Sequence, residues 1–311
     1  MKSLFFLLCF FQLSAQVTRG EAERNEVKGV VVDENNKPIP YVNIWLANGN
    51  LATTAEADGS FVLEIKTQEQ ELLFSALGYE SKALKASETS RVVLISIAIP
   101  LSEIVIGKPK ESQQKELGYY QSGGFRYHQN YFIHAVYFDL AEKDRTFYPY
   151  LKEIKFRTDS ETENAKIKVY LVNCQPDGSP GEEKLTEELI VAVKKGNRKN
   201  LIDLSEQLVK IPENGFFIVF EKLKIEENKH YITYNFKDKN GTKTTQKGLS
   251  YQPELLLTPF EDANAWFKER QNQWAKSAKV LLDKPNSYEN LLMKKYHNKY
   301  LLPAVNITIT N

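Results

Sequence analysis

The chain has 311 residues, with 41 Lys and Arg against 40 Asp and Glu. That near balance excludes a protein living on phosphate contacts, which carries a basic surplus, and no nucleic-acid partner is expected. Hydrophobic residues at 42% and aromatics at 12% supply a large core, and the length suits about two domains rather than one.

Met1-Lys2-Ser3 is a short basic start, Leu4 to Leu13 an apolar run, and Ser14-Ala15 a small-residue cleavage point. This is the pattern of a secretory signal peptide over residues 1–15, and the run is about half the length of a spanning helix. Phe6, Leu7 and Leu8 precede Cys9 where a lipoprotein signal wants small residues, so cleavage near Ala15 without a lipid anchor is expected. Cys174 would then be the one remaining cysteine, unable to form an internal disulfide and expected as a core residue. No later apolar run reaches spanning length, so no transmembrane segment is expected after cleavage.

From Asn25 to Ile106 the chain reads as seven or eight short strands: Val27 to Asp33, Tyr41 to Leu46, Thr53 to Phe61, Phe61 to Ile65, Leu72 to Ala76, Lys82 to Ala86, Arg91 to Ile97 and Leu101 to Ile106. β-branched and aromatic residues alternate with polar ones, and each run stops at Asn, Asp, Gly or Pro, as in an antiparallel sandwich. Asp58-Gly59 predicts a tight turn needing positive φ.

Gly29-Val-Val-Val-Asp33, Pro38-Ile-Pro40 before Val42-Asn43-Ile44, Ala57-Asp58-Gly59-Ser-Phe61, Ala76-Leu-Gly78-Tyr79 and Leu101-Ser-Glu103-Ile-Val-Ile106 resemble the carboxypeptidase-regulatory-like domain, a transthyretin-like sandwich. The resemblance implies a non-catalytic module found beside metallocarboxypeptidases and, in many Gram-negative bacteria, in outer-membrane transporters or free secreted proteins. Peptidase activity is not expected. None of His128, His134, His230 or His297 has Glu three residues on, as the zinc pair requires. About 200 residues follow Ile106, too few for a transporter barrel, and the charged, irregular segments of that remainder do not suit a small one either.

Residues 107–130 are expected to be a linker, since Gly107 to Gly124 is rich in Lys, Gln, Glu, Ser and Gly and has little to bury. From Tyr131 to Asn311 the β pattern returns: Phe132 to Leu140, Leu151 to Arg157, Ile167 to Cys174, Leu189 to Val193, Leu201 to Leu204, Gly215 to Leu223, Tyr231 to Phe236 and Glu254 to Thr258, with a closing strand from Pro303 to Ile309. Ile154-Lys-Phe156, Ile167-Lys-Val-Tyr170, Ile202-Asp203-Leu204-Ser205 and Gly215-Phe-Phe-Ile-Val219 resemble the jelly-roll-like region of secreted proteins that pair it with the regulatory-like domain. The expected fold is therefore all-β, a transthyretin-like sandwich followed by a larger jelly-roll-like β-sandwich. Ala263, Phe267, Trp274, Ala278 and Leu281 fall near one helical face, so Glu261 to Leu282 is either a short helix or an ordered loop.

No catalytic, cofactor or metal residues are assigned: no nucleophile elbow, phosphate loop, zinc helix or calcium loop occurs. Glu182, Glu183, Glu187 and Glu188 lack calcium-loop spacing and read as a solvated flank. His128 and His134 read as strand histidines rather than ligands, and the sequon at Asn306 is set aside. Tyr119, Tyr120, Tyr127, Tyr131, Trp266 and Trp274 lie in or beside less regular stretches. They either fill the seam between sheets or present a stacking face to a glycan or protein. The expected function is an exported, non-enzymatic binding or scaffolding protein of the periplasm or cell surface. The alternative is a polysaccharide-acting enzyme using a carboxylate pair in the second domain.

Overall fold

The computed structural model describes residues 25–97, 112–120, 124–126, 132–237, 243–268, 273–280 and 294–311. The expected signal segment, the strand at 101–106, Tyr127, His128 and Tyr131 lie outside these. The protein is nearly all β, built as sheets stacked face to face. No helix among the described residues is long and apolar enough to cross a membrane.

The N-terminal sandwich has two sheets. One runs Ser60–Ile65, Asn25–Val32, Arg91–Val93, the last pair parallel; the other runs Leu51–Thr54, Asn43–Leu46, Glu71–Ser75, Lys82–Lys85. Val27, Val31, Ile44, Phe61, Leu72, Phe74 and Val92 close between them, because alternate residues of each strand point inward. Phe61 and Phe74 meet at 5.5 Å between ring centroids. The Asp58-Gly59 turn forms with Gly59 at φ +77°, and a Cβ there would sit 2.6 Å from the Val31 carbonyl oxygen. Only glycine satisfies both the left-handed backbone and the close approach.

The larger C-terminal sandwich pairs a sheet ordered Gly196–Asp203, Tyr150–Ser160, Val305–Thr310, Gln114–Gly118 with one ordered Pro180–Lys184, Ala165–Cys174, Phe216–Lys222, Ile133–Phe138, Ala265–Lys268, Trp274–Lys276. Its core holds Ile154, Phe156, Ile167, Val169, Leu171, Phe216, Ile218, Phe220, Val305, Ile307 and Ile309. Two elements differ from the sequence reading. Gln114–Gly118, inside the stretch whose composition suggests a solvated connector, pairs antiparallel with Val305–Thr310. Leu117 and Tyr119 pack on the core, so this polar segment is an edge strand, held by a neighbour its composition does not reveal.

Glu261 to Leu282 is not helical where it is described. Ala265–Lys268 pairs with Ile133–Phe138 on one side and Trp274–Lys276 on the other, in the register Trp266↔Lys276, Phe267↔Ala275 and Lys268↔Trp274. An open sheet edge offered these residues backbone partners, and tertiary pairing overrode the apparent helical period. Among the described residues α-helix lies instead at Glu142–Phe147 and at residues 294–296.

The two sandwiches are themselves packed together. Phe217, Val219, Tyr170, Val172 and Ala135 point out of the larger sandwich and meet Trp45, Leu51, Leu73 and Leu77 of the smaller one. The strand's first five residues, Phe216 to Phe220, are consequently apolar on both faces, as expected of a strand buried on two sides. Trp45, 3% exposed, anchors this seam and donates its indole N–H to Ser75 Oγ at 3.0 Å. At the seam's edge the Lys224 N–H donates to Thr54 Oγ1 at 3.1 Å, and Lys224 Nζ to the Leu51 carbonyl at 2.6 Å.

Candidate functional site

Where the seam opens, a cavity of about 740 Å³ lies between the sandwiches. The smaller sandwich contributes Asn43 and the Ser75–Ser81 turn with Tyr79 and Glu80; the larger contributes the 175–183 hairpin turn, Tyr170, Glu221, Lys268 and Trp274. The turn residues Pro176, Asp177, Gly178 and Ser179 are there because a left-handed glycine, φ +82°, reverses the chain, and Asp177 Oδ1 accepts from the Ser179 N–H at 2.9 Å.

A buried ionic network adjoins the cavity, reaching it through Glu221, Tyr170 and Asn43. Lys168 and Glu221 are direct cross-strand partners on the seam face, with side chains 2% and 5% exposed and 3.1 Å between Nζ and Oε2. Tyr170 donates its hydroxyl to Glu221 Oε1 at 2.6 Å, and Asn43 donates Nδ2 to Glu221 Oε2 at 3.2 Å from across the seam. Lys168 also reaches Glu188 at 3.4 Å and the Tyr41 carbonyl at 3.2 Å. Every oxygen of Glu221 is thus partnered, the condition for tolerating a buried charge.

The electrostatics follow. Burial by itself would strip the Lys168 proton, but Glu188 and Glu221 outweigh it and hold the ammonium up to about 12. Burial would likewise raise Glu221, yet Lys168 and the Tyr170 hydrogen bond prevail and its carboxyl lies below the usual range. Burial, reinforced by Glu221, pushes Tyr170 well above an ordinary phenol. In the cavity wall, burial pushes the Lys268 ammonium down against the pull of Glu221 and Glu182. Lys268 Nζ lies 5.0 Å from the Trp274 ring centroid, a cation–π contact between cross-strand partners.

The six aromatics singled out from the sequence separate. Trp274 lines the cavity. Trp266 packs in the seam, nearly perpendicular to Phe217 at 6.4 Å. Tyr119 lies against Phe138 and Phe260 in the core of the larger sandwich, where its hydroxyl donates to the Tyr137 carbonyl and accepts from Asn264 Nδ2 at 3.3 Å. Burial pushes its phenol up to about 12. Tyr120 is bound through its backbone to the Asn306 amide, at 3.3 and 3.1 Å, away from the cavity.

The acidic run is not uniformly solvated. Glu182 and Glu183 line the cavity, and Glu188 joins Lys168 in the ionic network. His134 lies in the Ile133–Phe138 strand and is 9% exposed. Among the described residues no three His, Cys, Asp or Glu side chains cluster as metal ligands. Burial raises the Cys174 thiol pKa, which opposes the thiolate form. Sequence reasoning missed Tyr79, Lys268 and the Lys168–Glu221 pair. The available signal was a charge set among apolar residues inside largely hydrophobic strands, Ile167-Lys168-Val169 and Phe220-Glu221.

The smaller sandwich, whose Ser75–Ser81 turn walls this cavity, also carries a sequence match. Residues 27–106 match the CarboxypepD_reg-like domain family. No curated protein matches the chain. The CarboxypepD_reg-like domain therefore supplies one side of the cavity wall and, through Asn43 and Tyr41, partners of the ionic network. The larger sandwich supplies most of the charge.

Proposed function

We propose that this protein is an exported, non-enzymatic binding protein of the cell envelope whose seam cavity accepts a glycan. The observation that carries the reading is the composition of that cavity: the Trp274 indole and Tyr79 phenol for ring faces, Ser75, Ser81 and Ser179 hydroxyls, carboxylates of Asp177, Glu182 and Glu183, and the Lys268 amine. Small-ligand sites of a few hundred cubic ångströms combine apolar faces with a few convergent polar groups, and sugars use both. A jelly-roll-like second region would place the protein beside carbohydrate-binding folds by analogy of architecture. Export rests on the basic, apolar and small-residue pattern of residues 1–15.

The processed chain, Gln16–Asn311, is expected to give reproducible hits on a glycan array, weakened about fivefold by Trp274→Ala and kept by Tyr120→Phe, since a stacked ring contributes about 1 kcal/mol. A blank array, or hits indifferent to Trp274, would overturn the glycan and leave an envelope protein as the partner sought.

The enzymatic alternative has its own observation, several carboxylates converging on one concave face. In that reading Glu182 or Glu183 acts, not Glu221, which its buried pairing with Lys168 keeps ionised. Release of reducing ends from a bound glycan, abolished by Glu182→Gln or Glu183→Gln, would select it over passive binding.

A further inference from the structure

A second surface lies apart from the cavity. Lys229–Lys237 and Lys243–Tyr251 form a two-stranded ribbon that pairs, among the described residues, with no other strand. At nine residues a side it extends roughly 30 Å. Its root is fixed: Lys229 pairs with Glu226, Tyr251 packs edge-on against Phe132 at 6.4 Å, and the Gln252 N–H donates to the Asn228 carbonyl at 2.7 Å. Beyond the root it is exposed on both faces.

The ribbon's two strands are basic. They hold four Lys, at 229, 237, 243 and 247, and no acid, in a chain whose formal charge is only +1. The register places Tyr231 opposite Leu249 and Thr233 opposite Lys247. Successive pairs two residues apart share a face, so Lys229, Lys243 and Lys247 lie on the same side as Tyr231 and Leu249. Tyr231 is 67% and Leu249 47% exposed. Among the described residues the opposite face, with His230, Ile232, Tyr234, Thr244 and Gln246, carries no Lys.

We infer that this ribbon is a docking arm for an anionic lipid surface. Isolated two-stranded hairpins are marginal in water, and one bearing large exposed apolar side chains gains from a partner. Lysines spaced along the Lys243–Tyr251 strand discourage another chain from adding to that edge, which disfavours a second copy. The cations call for an anionic partner. An exposed Leu beside an exposed Tyr distinguishes lipid from polysaccharide: the aliphatic chain enters the acyl boundary, the phenol sits at headgroup level, and flanking lysines extend to the phosphates. A sugar would use the ring and leave Leu249 with little to gain.

The test is co-sedimentation of Gln16–Asn311 with phosphatidylcholine vesicles, with or without about one third phosphatidylglycerol, on the scale where each surface lysine matters. Binding is expected to the anionic vesicles alone. It should fall at least tenfold in Lys243→Glu/Lys247→Glu and clearly in Tyr231→Ser/Leu249→Ser, all four positions being exposed and circular dichroism verifying the fold. Trp274→Ala should bind vesicles as wild type does, which separates this arm from the cavity. Equal binding to neutral vesicles, no binding to anionic ones, or full binding by the charge-reversed variant would overturn it. Binding to soluble heparin or duplex DNA with vesicles ignored would overturn it equally, as a different polyanion.

Discussion

Lys168 and Glu221 show how a single pair links two sandwiches. Each sits on a strand of the larger sandwich, yet each also bonds to the smaller one: Asn43 Nδ2 donates to Glu221, and Lys168 Nζ donates to the Tyr41 carbonyl. Tyr41 holds φ +56°, unfavourable for a bulky side chain, and packs with Leu223 and Ile225. Removing one charge strands the other: Lys168→Met should cost about 3–5 kcal/mol in urea unfolding, and Lys168→Met/Glu221→Leu substantially less than either single variant. The pH dependence follows from the same two groups. Glu221 has a folded pKa below its ordinary 4.5, so its contribution is full above that value and lost as pH falls through the folded one. Lys168, raised from 10.5 to about 12, contributes fully below 10.5 and loses that contribution as pH rises toward 12. Wild-type stability should therefore hold between about pH 5 and 10 and decline on both sides, with both slopes shallower in the double variant.

Among the elements, turns and alternating strands were the legible ones. The Asp58-Gly59 reversal forms as its residues require, with Asp58 Oδ1 accepting from the Ser60 N–H at 3.0 Å. Gly59→Ala meets both a left-handed backbone and a carbonyl oxygen at 2.6 Å, so a loss of about 1–3 kcal/mol is expected in thermal unfolding. An unchanged midpoint would mean that the turn relaxes. Leu189–Val193 forms over the residues expected, because alternating apolar residues between turn signals state their own period. Gln114–Gly118 and the Ala265–Lys268 and Trp274–Lys276 pair were not legible. The strands they join lie at residues 306–310 and 134–136, and no local pattern names a partner so distant.

At the scale of the molecule, the decisive feature is the third apolar layer between the sandwiches. Trp45 is its largest fully desolvated anchor from the smaller side, and Trp45→Ala should cost about 3–5 kcal/mol by leaving a cavity. Scanning calorimetry should give one cooperative transition for Gln16–Asn311 and two for Trp45→Ala, as the sandwiches uncouple. Two transitions in the wild type would show that the layer does not couple them.

The sequence by itself determined the all-β class, most strand positions, the CarboxypepD_reg-like segment and one cavity residue, Trp274, because side-chain alternation, turn chemistry and aromatic content are local properties. Only the tertiary structure decided that the sandwiches share a buried layer, that Lys168 finds Glu221, and that Lys229, Lys243 and Lys247 share one face of a ribbon. Each of these depends on which strands lie side by side, and strand order is set by how whole faces pack rather than by any single stretch of chain.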